Sequence, residues 1–357
     1  MHAAGSGPAP RRPDSYLLAG GRLASGVLEI SDDPAVLDRG GFWGVVADFE
    51  GALHCVRFAE VRPAPRAGPA ALRRQHWSGP SAWSWRSSLD QEAYIAGAVA
   101  IREWIAAGDV YEVNLCRILS APLPDPAGRA GGAEPAALAA VLATGNPAPY
   151  ATVLDVPEAG LRVVGASPEL FLEREGDIVR SRPIKGTGRS VRELGDKDVA
   201  ENIMIVDLVR NDLGRVARPG SVTVPALCAV EDHPGLVHLV STVRAQLRPD
   251  VGWAELLAAA SPAGSVSGAP KSSALRAIRA LEPVARGPYC GGIGWVDADR
   301  RRGWLSVGIR TFWFGGDQLY FGTGAAITWG SDPLDEWRET ELKAHRLVGL
   351  ASGTGRQ

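Results

Sequence analysis

A chain of 357 residues with 45% hydrophobic content can bury a substantial core, either as one large domain or as two ordinary ones. Its 38 basic and 40 acidic residues leave a net charge of −2, which argues against nucleic acid or an anionic membrane as partner and requires that any acidic substrate be held by a locally built site. Cys55, Cys116, Cys228 and Cys290 are scattered with no Cys-x-x-Cys pair, and no apolar run reaches signal-peptide or transmembrane character, so neither zinc, disulfides nor a membrane is expected and a reducing cytoplasm fits.

Residues 1–15 read as a frayed tail rich in Ala, Gly and Pro. From about Ser15 to Val61 short apolar runs alternate with Gly and Asp turns, as small antiparallel strands do, and a Pro- and Trp-rich connector covers Arg62 to Ser88. Ile95, Val99, Ile101, Trp104 and Ile105 fall at helical spacing within Asp90–Ala107, and Gly108 is the expected stop. A strand at Val110–Leu115 and a Pro/Gly/Ala-rich excursion from Ala121 to Pro135 follow. Asp196–Leu213 reads as a helix ended at Gly214, and Ala269–Leu281 as another with Pro270 in its first turn. Tyr289–Val296, Trp304–Phe314 and Leu319–Gly322 read as strands joined by links short enough for hairpins. No crossover helix intervenes, so the expected class is α+β, with large antiparallel sheets in a two-layer core and helices outside.

Ser181-Arg182-Pro183-Ile184-Lys185-Gly186-Thr187 sets a lysine between proline and glycine in a short stiff segment, where burial or a neighbouring cation would make its amine a nucleophile. Asp198 and Glu201 are i,i+3 on one predicted helix, and Glu336, Glu339 and Lys343 fall at i, i+3, i+7 near the C-terminus. If the two faces meet, four carboxylates crowd one volume and call for a hard cation such as magnesium; from spacing alone they read equally as solvated helix faces. Gly264-Ser265-Val266-Ser267-Gly268-Ala269-Pro270-Lys271 puts small residues before a helix start, a setting for an anion, though Ala269 and Pro270 rule out a Walker loop. Arg310 and Gly322-Thr323-Gly324 together could build a carboxylate pocket, and His238 lies in an apolar run that suits a core histidine.

Taken together, Gly108–Leu115, Ser167-Pro168-Glu169, Pro183–Thr187, Glu201–Val216, His238–Thr242, Ser267–Lys271 and Glu339–Lys343 resemble the chorismate-utilising enzymes in order and wording. The resemblance covers about Asp90 to Leu350. It implies an abbreviated β-rich N-terminal part over 16–88 and a chorismate-binding catalytic domain over 89–352. It further implies magnesium held through Glu201 and Glu339 with Asp198 and Glu336 in support, and Glu169 as proton donor to the departing C4 hydroxyl. Arg310, Lys343, Lys271, Thr187 and backbone near Gly324 would hold carboxylates, with Ser265, Tyr289 and His238 lining the site.

Two positions point to a branch. Water-adding members carry a general-base lysine, and amine-adding members glutamine, where this chain has Glu112, which disfavours hydration. Lys185 stands where anthranilate synthases have alanine, and Asn202 is likewise closer to aminodeoxychorismate synthase component I. In that branch the lysine attacks C2 so that ammonia enters at C4, giving 4-amino-4-deoxychorismate for p-aminobenzoate and folate. Lys343, Arg310 and magnesium would lower the lysine pKa, with Glu169 and Glu112 opposing. No Gly-x-Cys-x-Gly nucleophile is present, so ammonia is expected from a glutamine amidotransferase subunit. Amination at C2 is the alternative, and a non-catalytic homologue binding chorismate or tryptophan a more distant one. Ala326 replaces a customary glycine, a change costing on the order of 1 kcal/mol if its φ is positive.

Overall fold

The computed structural model describes residues 13–73, 76–124, 134–188, 190–233 and 236–354, with the side chains of Thr187, Asp196, His233 and Leu236 outside that description. The expected frayed tail and most of the excursion between Ala121 and Pro135 lie outside the described residues. The N-terminal part holds strands β1 (Tyr16–Ala19), β2 (Arg22–Ser31), β3 (Phe42–Ala47), β4 (Leu53–Pro63) and the short β5 (Arg86–Ser87), then helix α1 (Gln91–Ala107). Next come β6 (Glu112–Pro122), α2 (Pro135–Gly145), β7 (Tyr150–Val156), β8 (Leu161–Ser167), β9 (Leu170–Glu175), β10 (Ile178–Arg182) and β11 (Ile184–Gly188). Helix α3 (Asp196–Gly214) leads to β12 (Thr223–His233), β13 (Leu236–Gln246), α4 (Trp253–Ala260), β14 (Gly268–Ala269) and α5 (Lys271–Leu281). The chain closes with β15 (Gly292–Asp297), β16 (Arg302–Val307), β17 (Thr311–Gly315), β18 (Gln318–Ile327) and α6 (Pro333–Ala351).

Every strand pairing among the described residues is antiparallel, and the pairings run as one ladder: β12, β13, β10, β9, β16, β15, β3, β4, β2, β1, β7, β8, β17, β18, β6. Strand β11 adds to β13 beside β10, and β5 and β14 add to β6. Strands before Ser88 therefore pair with later ones, β1 with β7 and β3 with β15, and share their cores: Trp43 and Val45 pack in the same buried cluster as Leu115 and Leu305. Right-handed twist accumulates along such a ladder, and β11, on β13 near the β12 end, brings Lys185 to within 3.2 Å of Glu112 on β6, the other end. The α+β architecture expected from hairpin spacing is thus present.

Helices cover this sheet where their apolar stripes dictate. Asp90 caps α1 through the Ala93 N–H at 2.9 Å, Gly108 ends it as expected, and Tyr94, Ala98 and Ile101 are buried. The predicted strand Trp304–Phe314 is two strands, because the chain turns at 308–310, where Arg310 takes φ 53°. Pro270 precedes α5 rather than opening its first turn, and β14 forms just before it. Ala326 lies in β18 opposite Asn114 and is not among the residues of positive φ, so the expected strain is absent. No helix among the described residues is long and apolar enough to cross a membrane.

Candidate active site

Where the two ends of the ladder approach, charged side chains gather that are far apart in sequence. Strand β11 pairs with β13 at Ile184↔Val240 and Thr187↔His238, with a register shift between them that spans Lys185 and Gly186. Such a bulge re-aims a side chain. Gly186 takes φ 81°, and a Cβ there would lie 2.8 Å from Asp198 Cβ, so only glycine lets α3 approach this closely. Lys185 Nζ consequently sits 3.2 Å from Glu112 Oε1 of β6 and 3.8 Å from Glu201 Oε2 of α3. Glu112 is fully buried, and its Oε2 has no hydrogen-bond partner.

Glu169, in the turn between β8 and β9, is buried, and Ser265 Oγ donates to its Oε1 at 2.6 Å. Burial pushes its carboxyl up to about 7, against the opposing pulls of Ser265, Lys185 and the Ile184 N–H. A carboxyl of that character is half protonated at neutral pH, as a general acid needs to be. Burial lowers the pKa of Lys185, but Glu112, Glu201 and Glu169 outweigh it and the net shift is upward. Here the sequence expectation fails: carboxylates surround this amine, whereas Lys343 and Arg310 are not among the groups that shift it.

Glu201 is aimed by its neighbour. Asn202 is buried, donates through Nδ2 to Leu239 O at 3.1 Å and accepts from Ser241 Oγ, which clips α3 to β13. Across the cleft, Asp332 caps α6 through the Leu334 and Asp335 N–H groups, and Ser331 Oγ donates to Glu336 Oε1 at 2.5 Å. Lys197 joins the two helices, its Nζ 3.7 Å from Glu201 Oε1 and 3.7 Å from Glu336 Oε1. Burial raises the pKa of Glu201 and of Glu336, with Glu112 and Glu336 adding to the first and Glu339 to the second. Burial would raise Glu339 too, but Lys343, 2.6 Å away, dominates and leaves it below the ordinary glutamate range. Three of the four expected metal-binding acids thus converge on one cleft.

The fourth is committed elsewhere: Asp198 Oδ2 accepts from the Gly195 N–H at 2.9 Å and caps the start of α3. The donor set Glu201, Glu336 and Glu339 suits magnesium in kind, being hard carboxylate oxygens from two facing helices with a cationic amine already between them. Among the described residues, however, no group of three or more Asp, Glu, His or Cys is placed so that it could hold a metal ion, so the fit is one of donor type and not of geometry. Lys197, missed in the sequence, stands on the cation's side of that balance.

The remaining expected residues separate into two groups. Lys343 donates to Gly324 O at 3.1 Å, and Arg310, whose guanidinium pKa is lowered by burial and then by Arg346, faces a second cation from α6. Arg346, exposed on α6 one turn after Lys343, went unnoticed in the sequence, and Lys343 is already paired with Glu339 at 2.6 Å. Lys271 is different: its Nζ is 2.6 Å from Asp212 Oδ2 and donates to Ala260 O at 3.1 Å, so its amine is occupied within the fold. The small-residue run before it serves contact rather than anion binding, since a Cβ on Gly268, at φ 134°, would lie 2.2 Å from Glu112 O. Tyr289 is buried with its ring against Gly322 and its hydroxyl 4.0 Å from Cys116 Sγ. His238 is buried on β13, opposite Thr187 and Glu231 on the flanking strands; Thr187 shares Lys185's strand, and its side chain lies outside the described residues.

A family model described as chorismate binding enzyme matches residues 60–349. Anthranilate synthase component 1 of Streptomyces coelicolor is 38% identical over 299 residues, which are 80% of this chain and 55% of that protein. Aminodeoxychorismate synthase component 1 of Klebsiella aerogenes is 38% identical over 278 residues, 74% of this chain and 59% of that one. The chain therefore spans somewhat more than half the length of these relatives. The menaquinone-specific isochorismate synthase of Escherichia coli shares the fold, with a TM-score of 0.76 at 18% identity, covering 96% of this chain and 90% of that one.

Proposed function

The chain belongs to the chorismate-binding enzyme family, and on that premise we propose that it aminates chorismate at C4, yielding 4-amino-4-deoxychorismate, the product that serves p-aminobenzoate and folate. The observation that carries the reading is Lys185, an amine aimed into the site by a strand bulge within reach of Glu112 and Glu201; since these carboxylates raise its pKa, the reading requires the proton to pass to Glu112 when substrate binds. Glu112 Oε1, 3.2 Å away, takes the proton from the lysine ammonium and leaves a neutral amine to attack C2 of the ring. The double bonds shift, the C4–O bond breaks, and Glu169 gives its proton to the departing hydroxyl, which leaves as water. Ammonia then adds at C4 and the C2–N bond to Lys185 breaks, returning the free amine.

Arg310, Arg346 and Lys343 supply the positive charge that holds the substrate carboxylates. Glu201, Glu336 and Glu339 would hold magnesium, whose chemistry when bound is to bind and polarise a ring carboxylate. Ammonia comes from a separate glutamine amidotransferase subunit, in keeping with the component 1 names of the relatives.

A second reading, amination at C2, draws on the equal 38% identity to an anthranilate synthase component 1. Product analysis separates the two. With chorismate, magnesium and an ammonium salt the parent protein should form the C4-aminated product, and Lys185→Ala should lose it. Lys185→Arg should not restore it, since a guanidinium stays protonated. An alanine variant that makes the C4 product at the parental rate removes the covalent role, and a parent that makes only C2-aminated product removes the reading itself.

A further inference from the structure

Glu169 raises a supply problem. It is sealed from solvent on the inside of the sheet, yet as a proton donor it must be recharged at each turnover. Behind it lies a cavity of about 10 Å³, room for a single water, lined by Glu169, Ser265, Ser181, Ala263 and, on the opposite wall, Asp212. Asp212 is buried and held at 2.6 Å by Lys271, whose side chain is 16% exposed and so reaches the outside. The rest of the lining is apolar, Phe171, Leu172 and Val209 among it, so a water there would have Glu169, Ser265, Ser181 and Asp212 as its side-chain partners.

We propose that Asp212 and Lys271 form a proton relay that recharges Glu169 through one water in this cavity. The step balances: the water gives a proton to the Glu169 carboxylate and receives one from the Lys271 ammonium by way of Asp212, and bulk water restores the lysine. One proton thus enters from solvent for each hydroxyl released. The buried pair would otherwise be an expensive structural choice, since apolar residues of similar size stabilise a core as well or better. The inference rests on Glu169 being the proton donor. It holds for amination at C2 as well as C4, since both lose the C4 hydroxyl.

The test is steady-state amination by the full chain with chorismate and ammonium across pH, in water and in deuterium oxide. Asp212→Asn combined with Lys271→Gln keeps a hydrogen-bonded pair of similar size with no transferable proton. Above pH 7 its kcat should fall by about tenfold or more while the KM for chorismate stays within a factor of about two, and a solvent isotope effect on kcat should emerge. A merely structural pair would lower activity at every pH and leave the isotope effect unchanged. Ala263→Val, which fills the cavity and leaves the charges alone, should reproduce the alkaline loss. Parental pH profiles and isotope effects in folded variants overturn the relay. If neither variant folds, a high-resolution crystal structure of the parent decides, by whether a water in the cavity bonds to Glu169. Glu169→Gln separates the two failures: if that variant keeps its turnover the proton-donor reading falls, and if it is dead while the paired variant behaves as the parent, only the relay falls.

Discussion

Glu169 and Glu339 stand in two regions of the candidate site, its floor and its mouth, and burial decides the first carboxylate while a neighbouring cation decides the second. On the floor, Glu169 meets a hydroxyl and apolar walls, and burial keeps a proton on it. At the mouth, Glu201, Glu336 and Glu339 meet Lys185, Lys197 and Lys343; burial still raises Glu201 and Glu336, and only at Glu339 does the neighbouring cation, Lys343, prevail. On the proposed function one chemical group would serve as an acid in the first region and as a cation ligand in the second. What separates them is the nature of the neighbours, since both regions lose water.

The sharpest way to break this comparison is at the floor. Glu169→Gln should cut chorismate turnover by roughly 10²-fold or more, read as kcat with ammonium as donor. In the parent, kcat should fall as pH rises through about 7, because the acid form is the working one. Stability gives an independent reading of the same group. Its folded pKa lies above the unfolded value, so between about pH 4.5 and 7 the folded state binds more protons and stability falls as pH rises. Above that window Glu169→Gln should be the more stable protein by about 3 kcal/mol, measured by denaturant titration at pH 5 and pH 8. Equal stability at both pH values would show that burial does not hold the proton.

The mouth predicts smaller effects of another kind. Glu201→Gln and Glu336→Gln should each weaken magnesium binding, measured by calorimetry, by about 10- to 100-fold with the fold intact. Unchanged affinity in both would take the metal away from this cleft. Lys197→Met should act in the opposite sense. Its ammonium competes for the same two carboxylates, so its removal should tighten magnesium severalfold while changing stability by less than about 1 kcal/mol, because the side chain is largely exposed. Weaker binding in Lys197→Met would mean that the lysine organises the cleft instead of rivalling the ion.

The same division marks what could be read before any coordinates. Local signals held: Asp90 and Gly108 bound α1, the helix with Glu201 begins at Asp196, and the short turns after Asp297 and Gly315 close hairpins. Strands such as β7 to β9 escaped notice, because a strand buried on both faces lacks the polar alternation that marks a half-exposed one. The turn at Arg310 was hidden inside an apolar run. Within the site, residue types were legible and neighbours were not. Lys185 was expected between cations and two opposing carboxylates, Glu169 and Glu112; the carboxylates are there, Glu112 from 73 positions away on a strand that the sheet brings near, and Lys343 and Arg310 are not among the groups that shift it. Asp212 and Lys197 sit on α3; the Lys197–Glu201 contact is an i,i+4 spacing within that helix, but Lys271 of α5 and Glu336 of α6, their other partners, are encoded by no spacing within α3.

The joining of the ladder's two ends has a mechanical consequence. The gap between Lys185 and Glu112 is bridged along the sheet by every strand from β13 round to β6, each turned about 20–25° from the last. Small changes in angle at distant pairings therefore add along the whole path and appear as displacement at its open end. Replacements in strands that never touch substrate, β3 against β15 for instance, act on the reacting atoms as a long lever does. The alignment of the amine is in that sense a property of the entire sheet, and the Lys185–Glu112 contact is the one most exposed to error accumulated elsewhere.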